Sequence, residues 1–213
     1  MRATKRAHVV QTGGTMSNRF ACTTVHAAVV VCALLLAGCG TTKIAYKPKA
    51  SAPPAASANV ALKVVDQRAA DKGGSSKIQV GQIRGSYGIP GAVKDADAEV
   101  ATKTVTDATT DALHQAGVGT QSGGAKVLVA TVTRFWMDGM AGYKASVDVQ
   151  YDLQDSAGKT LWSAQVNGGA GGTNLFRGAE SFTQDMFENA LADLANKAAE
   201  QFRSDAFKRA LAL

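Results

Sequence analysis

Residues 143–153, YKASVDVQYDL, alternate strictly between apolar and polar side chains. The apolar side chains, which share one side of this stretch, are Tyr143, Ala145, Val147, Val149, Tyr151 and Leu153. A period of two residues is typical of a β-strand with one face buried and the other in water. The stretch therefore predicts a strand in a sheet that is covered on one face only.

Two neighbouring segments extend this sheet. Residues 126–137, KVLVATVTRFWM, are apolar on both sides, which indicates a central strand. Residues 160–166 return after a turn at residues 155–158, so three successive strands predict an antiparallel meander. Upstream, residues 60–65 predict another strand, and residues 76–84 contain a short additional one.

Two longer segments have helical periodicity. Residues 98–116 carry a narrow, alanine-rich apolar stripe, with Asp97 as the predicted N-cap and Gly117 just past the end. The C-terminal helix is predicted to begin at a capping box formed by Ser181 and Gln184. Its apolar stripe consists of Thr183, Phe187, Leu191, Leu194, Ala198 and Phe202.

The expected fold class is α+β. It is an antiparallel β-meander sheet of about four to five strands with two main helices packed on one face, in the order β-(β)-α-β-β-β-α. Residues 59–213 are expected to form this fold as a single domain. The glycine-rich stretches 117–124 and 167–174 lack the spacing of a phosphate loop, and we expect both to be flexible turns.

The first 38 residues have the composition of a targeting segment. Four of the 23 Lys and Arg residues lie there and none of the 17 acidic residues does, so much of the net charge of +6 belongs to this leader. The apolar run 27–37 rises only about 16 Å as a helix, roughly half of a ~30 Å hydrocarbon core. Residues 1–38 are therefore interpreted as a lipoprotein signal peptide, with Met16 as an alternative start to Met1.

The end of this run resembles a bacterial lipobox made of Leu36, Ala37, Gly38 and Cys39. Small residues admit the chain to the signal peptidase, and the Cys39 thiolate accepts a diacylglycerol. We expect Cys39 to be the lipidated N-terminus of the mature protein, in preference to a core cysteine or a redox or metal ligand. Gly40 stands where an aspartate would resemble an inner-membrane signal. The expected location is therefore the periplasmic face of the outer membrane.

Residues 40–59 contain Pro48, Pro53 and Pro54 among alanines and serines. This composition is typical of an extended linker, so residues 39–58 are interpreted as the lipidated cysteine and a Pro/Ala-rich tether. About 20 such residues have a typical reach on the order of 25 Å. The lysines of the tether either rest on anionic lipid headgroups or are simply solvated.

Few residues after the leader suggest catalysis. His114 is the only histidine after Cys39, and no cysteine follows Cys39, so neither a zinc site nor a thiol nucleophile is expected. No G-x-S-x-G motif is present to place a nucleophilic serine. We expect no enzymatic activity, metal or cofactor, and the chain lacks the basic–aromatic pattern of a nucleic-acid surface.

Three residues are candidates for partner binding. Asp66 and Arg68 stand at the end of the first predicted strand, where opposite charges usually fix a turn. An arginine there is also able to clamp a carboxylate or phosphate of a partner. Trp136 is either part of the core or, if it points away from the helices, a patch for a peptide, glycan or protein.

The lipobox, the Pro/Ala linker, the strand ending in Asp66-Gln67-Arg68, the helix, the meander and the long C-terminal helix together resemble the YajG-type bacterial lipoproteins. The resemblance spans residues 39–211, and only Cys39 and the Asp66-x-Arg68 motif carry over residue by residue. It implies a lipoprotein of the cell envelope, from a functionally uncharacterised family.

Two functions are expected as alternatives. The first is a non-catalytic lipoprotein, held in the membrane by its lipid anchor, that binds another envelope protein or a peptidoglycan component through the exposed sheet face or a groove beside residues 168–178. The second is an accessory lipoprotein that holds a lipid or other amphiphile during envelope lipid transport, in an apolar pocket of several hundred Å³. The alanine-rich first helix predicts close packing without a large cavity, which favours the first function.

Overall fold

The computed structural model describes residues 42–49, 58–69, 76–84, 88–140, 142–173 and 179–212. They form seven strands: β1 (Ala58–Asp66), β2 (Gln79–Arg84), β3 (Pro90–Lys94), β4 (Val118–Thr120), β5 (Val127–Gly139), β6 (Tyr143–Gln154) and β7 (Thr160–Gly172). Three helices accompany them: α1 (Val100–Gln115), α2 (Ala179–Arg203) and α3 (Asp205–Ala212). The signal peptide, the lipobox and Cys39 lie outside the described residues, so the interpretations of these segments stay predictions.

All seven strands belong to one mixed sheet. β6 pairs with one edge of β5 in the antiparallel direction, whereas β1 and β2 pair with its other edge in the parallel direction, one after the other. β4 is parallel to β1, while β3 and β7 are antiparallel to β2 and β6. The predicted antiparallel sheet of four or five strands is therefore wrong in strand number and in the direction of β1 and β2 relative to β5. Strands that return through a crossover such as α1 pair in parallel.

β3 and β4 were not expected from the sequence. β3 begins at Pro90, whose missing N–H is tolerated at the first residue of a strand. β4 has three residues, too few for a periodic signal. The chain thus builds two short strands from segments whose composition indicates turns.

The three helices pack on one face of the sheet, as expected. This face of β5 and β6 is lined by the buried pairs Leu128–Leu153, Ala130–Tyr151 and Val132–Val149. From α1, Thr109 Oγ1 lies 3.1 Å from the Tyr151 hydroxyl oxygen. The rings of Phe202 in α2 and Phe207 in α3 pack against the ring of Trp162 in β7.

The other side of β5–β7, which we call the helix-free face, carries mainly polar side chains on β6 and β7, whereas β5 contributes the buried Trp136. None of the three described helices packs against this face. Register pairs on this face are Asp148–Asn167, Gln150–Gln165 and Asp152–Ser163. The alternation seen in residues 143–153 therefore separates the core from a polar surface, as the sequence predicts.

The helix ends differ from the sequence prediction. The N-cap of α1 is Glu99, without a side-chain capping hydrogen bond, so the prediction of Asp97 is wrong; the Asp97 carboxylate accepts the backbone N–H of Glu99 (2.8 Å). Gly117 follows α1 with φ +78°, as a residue past a helix end often does. α2 begins at Ala179, so Ser181 lies inside the helix and the predicted capping box is wrong. All six predicted stripe residues of α2 are buried.

Residues 167–172 continue β7 rather than forming the expected flexible turn. Gly168 faces α2, and a Cβ atom at this position would lie 2.6 Å from Leu194 Cβ and would overlap the Ala190 carbonyl oxygen. The absence of a side chain at Gly168 therefore allows β7 and α2 to touch. The proposed groove beside residues 168–178 is closed at Gly168, and residues 174–178 lie outside the described part of the chain.

Candidate functional site

Residues 42–49, which we call the strap, lie against the domain in an extended conformation. Their buried side chains are Thr42, Ile44 and Tyr46. These alternate with the exposed side chains of Lys43, Ala45 and Lys47. This alternation is that of a strand with one face on a core. This part of the predicted tether therefore packs on the domain and does not stand clear of it.

The first half of the strap is held at Asp95, immediately after β3. Thr42 N donates to the Lys94 carbonyl oxygen (2.9 Å), and Thr42 forms a parallel bridge with Asp95. Ile44 N donates to Asp95 Oδ2 (2.8 Å), and Asp97 N donates to Oδ1 (2.8 Å). Because Asp95 is only 3% exposed, these amides replace the water that its carboxylate has lost.

The second half of the strap is held at Asp111, on α1. The Tyr46 hydroxyl and Lys49 N both donate to Asp111 Oδ2, which belongs to a buried residue. Burial, the hydrogen bond to Asp111 and nearby carboxylate charge raise the pKa of Tyr46, so its phenol remains a donor. Lys47 Nζ lies 3.0 Å from Glu188 Oε2 on α2. The strap therefore joins the end of β3 to both long helices.

Asp66 and Arg68 form a second polar cluster where β1 ends. Arg68 Nε and Nη2 donate to the two carboxylate oxygens of Asp66 at 3.0 and 2.9 Å. Arg68 Nη2 and Nη1 also donate to the carbonyl oxygens of Lys77 (2.9 Å) and Gln79 (3.4 Å). The guanidinium therefore bridges the end of β1 and the start of β2, the two strands that share one edge of β5.

This cluster is buried in the fold. The Arg68 side chain has no exposed surface, and its Cζ lies 5.9 Å from the centroid of the Phe135 ring. The Phe135 ring in turn stacks on the Phe187 ring of α2, with 4.5 Å between centroids. Burial alone would raise the pKa of Asp66, but the hydrogen bonds and charge of Arg68, with a contribution from Lys77, hold it below its ordinary value.

The structure does not bring the three predicted partner-binding residues into one exposed site. The N–H groups of Arg68 donate to Asp66, Lys77 and Gln79. This agrees with the first alternative given for Asp66 and Arg68, in which the two opposite charges fix a turn at the end of the strand. Trp136 is 6% exposed, so it does not form an exposed patch. It lies on the opposite side of β5 from Phe135, in register with Ser146 of β6. Neither Arg68 nor Trp136 is accessible as the predicted binding role requires.

Other features of the described residues bear on chemistry. His114 lies in the last turn of α1. In the ranges that the structure describes, no three His, Cys, Asp or Glu side chains cluster as a metal would need.

An open groove of about 380 Å³ has a lining of mixed polarity, unlike the apolar pocket that an amphiphile carrier needs. Its lining residues are Val64, Thr102, Lys103, Thr106 and Asp107. Among the described helices, none is long and apolar enough to cross a bilayer.

Comparison with known proteins finds resemblance to solved structures only. No family model and no curated protein matches the chain. Protein XCC0632 from Xanthomonas campestris, of the family DUF330, is 16% identical, with 75% of this chain and 89% of that chain covered and a TM-score of 0.49. The PelC dodecamer from Paraburkholderia phytofirmans is 15% identical, with 70% and 94% covered and a TM-score of 0.34. Lipoprotein GNA1162 from Neisseria meningitidis is 20% identical, with 64% and 99% covered and a TM-score of 0.28. Membership of the YajG-type family stays a prediction.

Proposed function

We propose that this chain is a lipoprotein of the bacterial cell envelope, lipidated at Cys39, with a non-catalytic binding role at the periplasmic face of the outer membrane. The observation that carries the proposal is the order of features along the chain. A short apolar run ends in the lipobox at Leu36–Cys39, and a packed domain begins three residues later at Thr42. A chain of this design is held at a membrane by its acyl groups.

The binding role is assigned to the helix-free face. The helices occupy the other face, and the buried charged groups described above hold the fold together: Asp66 binds Arg68, whereas Asp95 and Asp111 bind the strap. The helix-free face instead presents carboxylate, amide and hydroxyl groups in register on β6 and β7. Such a surface suits another envelope protein or a peptidoglycan component, both of which offer hydrogen-bonding groups.

Lipidation is tested by Cys39→Ser, with Cys32→Ser in the leader as the matched control. We expect the unmodified chain and Cys32→Ser to incorporate labelled palmitate and to fractionate with the outer membrane. Cys39→Ser should remain an unlabelled, uncleaved precursor. Normal processing and palmitate labelling of Cys39→Ser would refute the anchor, and recovery of the unmodified chain with the inner membrane would refute the location.

The binding role is tested by photo-crosslinking in intact cells. A crosslinking residue replaces Gln165 on the helix-free face, and the same residue replaces the exposed Glu200 on α2 as a control. We expect one envelope protein, or peptidoglycan, to be captured from position 165 and not from position 200. Equal capture at the two positions, or none at 165, would count against this face.

A further inference from the structure

We infer that the domain lies directly on the lipid surface, with the β3 edge of the sheet and the beginning of the strap facing the headgroups. This orientation rests on the proposed lipidation of Cys39. The surface concerned, which we call the membrane edge, consists of the outward side chains of Lys43, Lys94 and Ala96.

The length of chain between the anchor and the domain sets this contact. Cys39 and Thr42 are three residues apart, so even a fully extended chain between them spans at most about 11 Å. Thr42 is fixed to the domain by Lys94 and Asp95. A free tether of about 20 residues would instead have a reach on the order of 25 Å. While the strap is bound, the short chain between Cys39 and Thr42 therefore keeps this part of the domain close to the bilayer.

The side chains at this place suit an anionic surface. Thr42 and Asp95 are paired and both buried, so Lys43 and Lys94, next to them along their strands, are the side chains that point outward. Both are exposed, and neither forms an ion pair with another described residue. Phospholipid headgroups of negative charge attract such free ammonium groups.

The acidic side chains nearby are Asp95, which is buried, and Asp97 and Glu99; they reduce this attraction but form no ion pair with Lys43 or Lys94. Asp97 and Glu99 follow Asp95 in the chain, and both are bound by Lys103, at 2.7 and 3.3 Å. The two carboxylates therefore share a local counter-ion. The basic groups of Lys43 and Lys94 remain available to the lipid.

The orientation places the two edges of the sheet at different distances from the lipid. β3 is at one end of the strand order, and β7 lies beyond β5 and β6 on the far side. Val93 and Asp95 are buried, so Lys94 between them leaves β3 on the side of the sheet away from the helices. If the β3 edge rests on the bilayer, this part of the sheet lies near the lipid, whereas the helix-free face of β6 and β7 is farther away, where a partner can reach it. The β7 side is then up to four strand spacings, about 19 Å, farther from the lipid.

The test uses the lipidated protein in vesicles of phosphatidylethanolamine and phosphatidylglycerol that contain a quencher attached to the headgroup. The chain has no cysteine after Cys39, so a fluorophore on a single new cysteine reports one position. Ala96→Cys places it at the membrane edge, and Ser156→Cys places it in the exposed turn between β6 and β7. We expect quenching at position 96 to exceed quenching at position 156 about twofold or more, because β6 and β7, which flank position 156, lie three and four strand spacings from β3.

The lysines are tested in the same system. Lys43→Gln combined with Lys94→Gln should reduce quenching of the label at position 96, and high salt should do the same to the labelled protein that keeps both lysines. The label at position 156 should not respond to either change.

The outcomes separate the two proposals. Equal quenching at positions 96 and 156 in a lipidated, vesicle-bound protein would overturn the orientation and leave the lipoprotein proposal intact. A protein that carries no lipid and does not float with the vesicles would overturn both. Quenching that is strong at position 96 but insensitive to the two lysine substitutions would overturn the part assigned to Lys43 and Lys94.

Discussion

At the scale of single residues, Asp66 is the counter-ion of the buried Arg68 guanidinium. Its carboxylate receives two donors from Arg68, whose side chain is fully buried. Asp66→Asn removes the negative charge and leaves the guanidinium without its counter-ion, so we expect the free energy of unfolding to fall by about 3–5 kcal/mol. Urea denaturation of the domain measures this loss.

Asp148→Asn is the matched control, because Asp148 also faces an arginine. Its oxygen is 3.9 Å from Arg134 Nε, and the Arg134 side chain is 49% exposed. Because the Arg134 side chain is half in water and can be solvated without its partner, removing the Asp148 charge should cost about 1 kcal/mol or less. Equal losses for the two asparagine variants would contradict the assignment of Asp66–Arg68 as a structural pair.

The same pair predicts a dependence of stability on pH. Because the folded-state pKa of Asp66 is lowered, the folded protein binds fewer protons at this site than the unfolded chain does. The stabilisation is complete above the ordinary aspartate pKa of about 3.9 and is lost as the pH falls through the lowered value. The difference in unfolding free energy between the unsubstituted chain and Asp66→Asn should therefore be constant near neutrality and shrink below pH of about 4.

At the scale of elements, β7 and α2 depend on a glycine for their contact. In Gly168→Ala the new methyl would meet Leu194 Cβ at 2.6 Å and the backbone of Ala190, which cannot move without displacing the helix. We expect thermal and urea unfolding to show a loss of about 1–3 kcal/mol. Gly169→Ala is the control, because its methyl would point to the other face and approach only the Ala145 carbonyl oxygen, at 3.9 Å. Similar stability of the two variants would contradict the close packing.

Local patterns in the sequence predict the elements better than they predict their pairing. The period of two in β6 and the stripe of α2 follow from side-chain direction, and the structure confirms both. The direction of β1 and β2 relative to β5 is set by how the chain crosses over through α1, which no single stretch of sequence records. The meander prediction therefore holds for β5, β6 and β7 and is wrong for the strands that precede them.

The strap and Arg68 show what was missed and why. The alternation of Thr42, Ile44 and Tyr46 is present in the sequence, but Pro48, Pro53 and Pro54 made the whole segment resemble a linker. The Asp66-x-Arg68 spacing indicates adjacent opposite charges. It does not indicate that β1 and β2 pair with the same edge of β5, or that the Arg68 guanidinium bridges these two strands.

At the scale of the whole molecule, the strap makes residues 42–49, which follow the predicted lipobox, part of the fold. A chain beginning at Thr41 keeps the strap, whereas one beginning at Ala58 lacks Ile44 and Tyr46 and the amide donors to Asp95 and Asp111. Each lost hydrogen bond to a buried carboxylate costs about 1.5–3 kcal/mol, and the freedom regained by the strap offsets part of this loss. We expect the shorter chain to be less stable by about 2–4 kcal/mol in urea denaturation.

Two point variants in the chain from Thr41 test whether the strap stabilises the domain by packing its buried side chains. Ile44→Ala should lower the stability and accelerate hydrogen exchange at the amides of Thr42 and Lys49, while Ala45→Ser, at the exposed neighbour, should change neither. Equal stability of the chains from Thr41 and Ala58, together with unchanged stability and hydrogen exchange in Ile44→Ala, would mean that the strap does not pack stably on the domain. Residues 40–57 would then act as the long tether that their composition suggests. Stability that depends on Ile44 instead means that the strap is part of the fold. For a chain lipidated at Cys39, as proposed above, moving the domain away from the lipid would then require breaking these contacts.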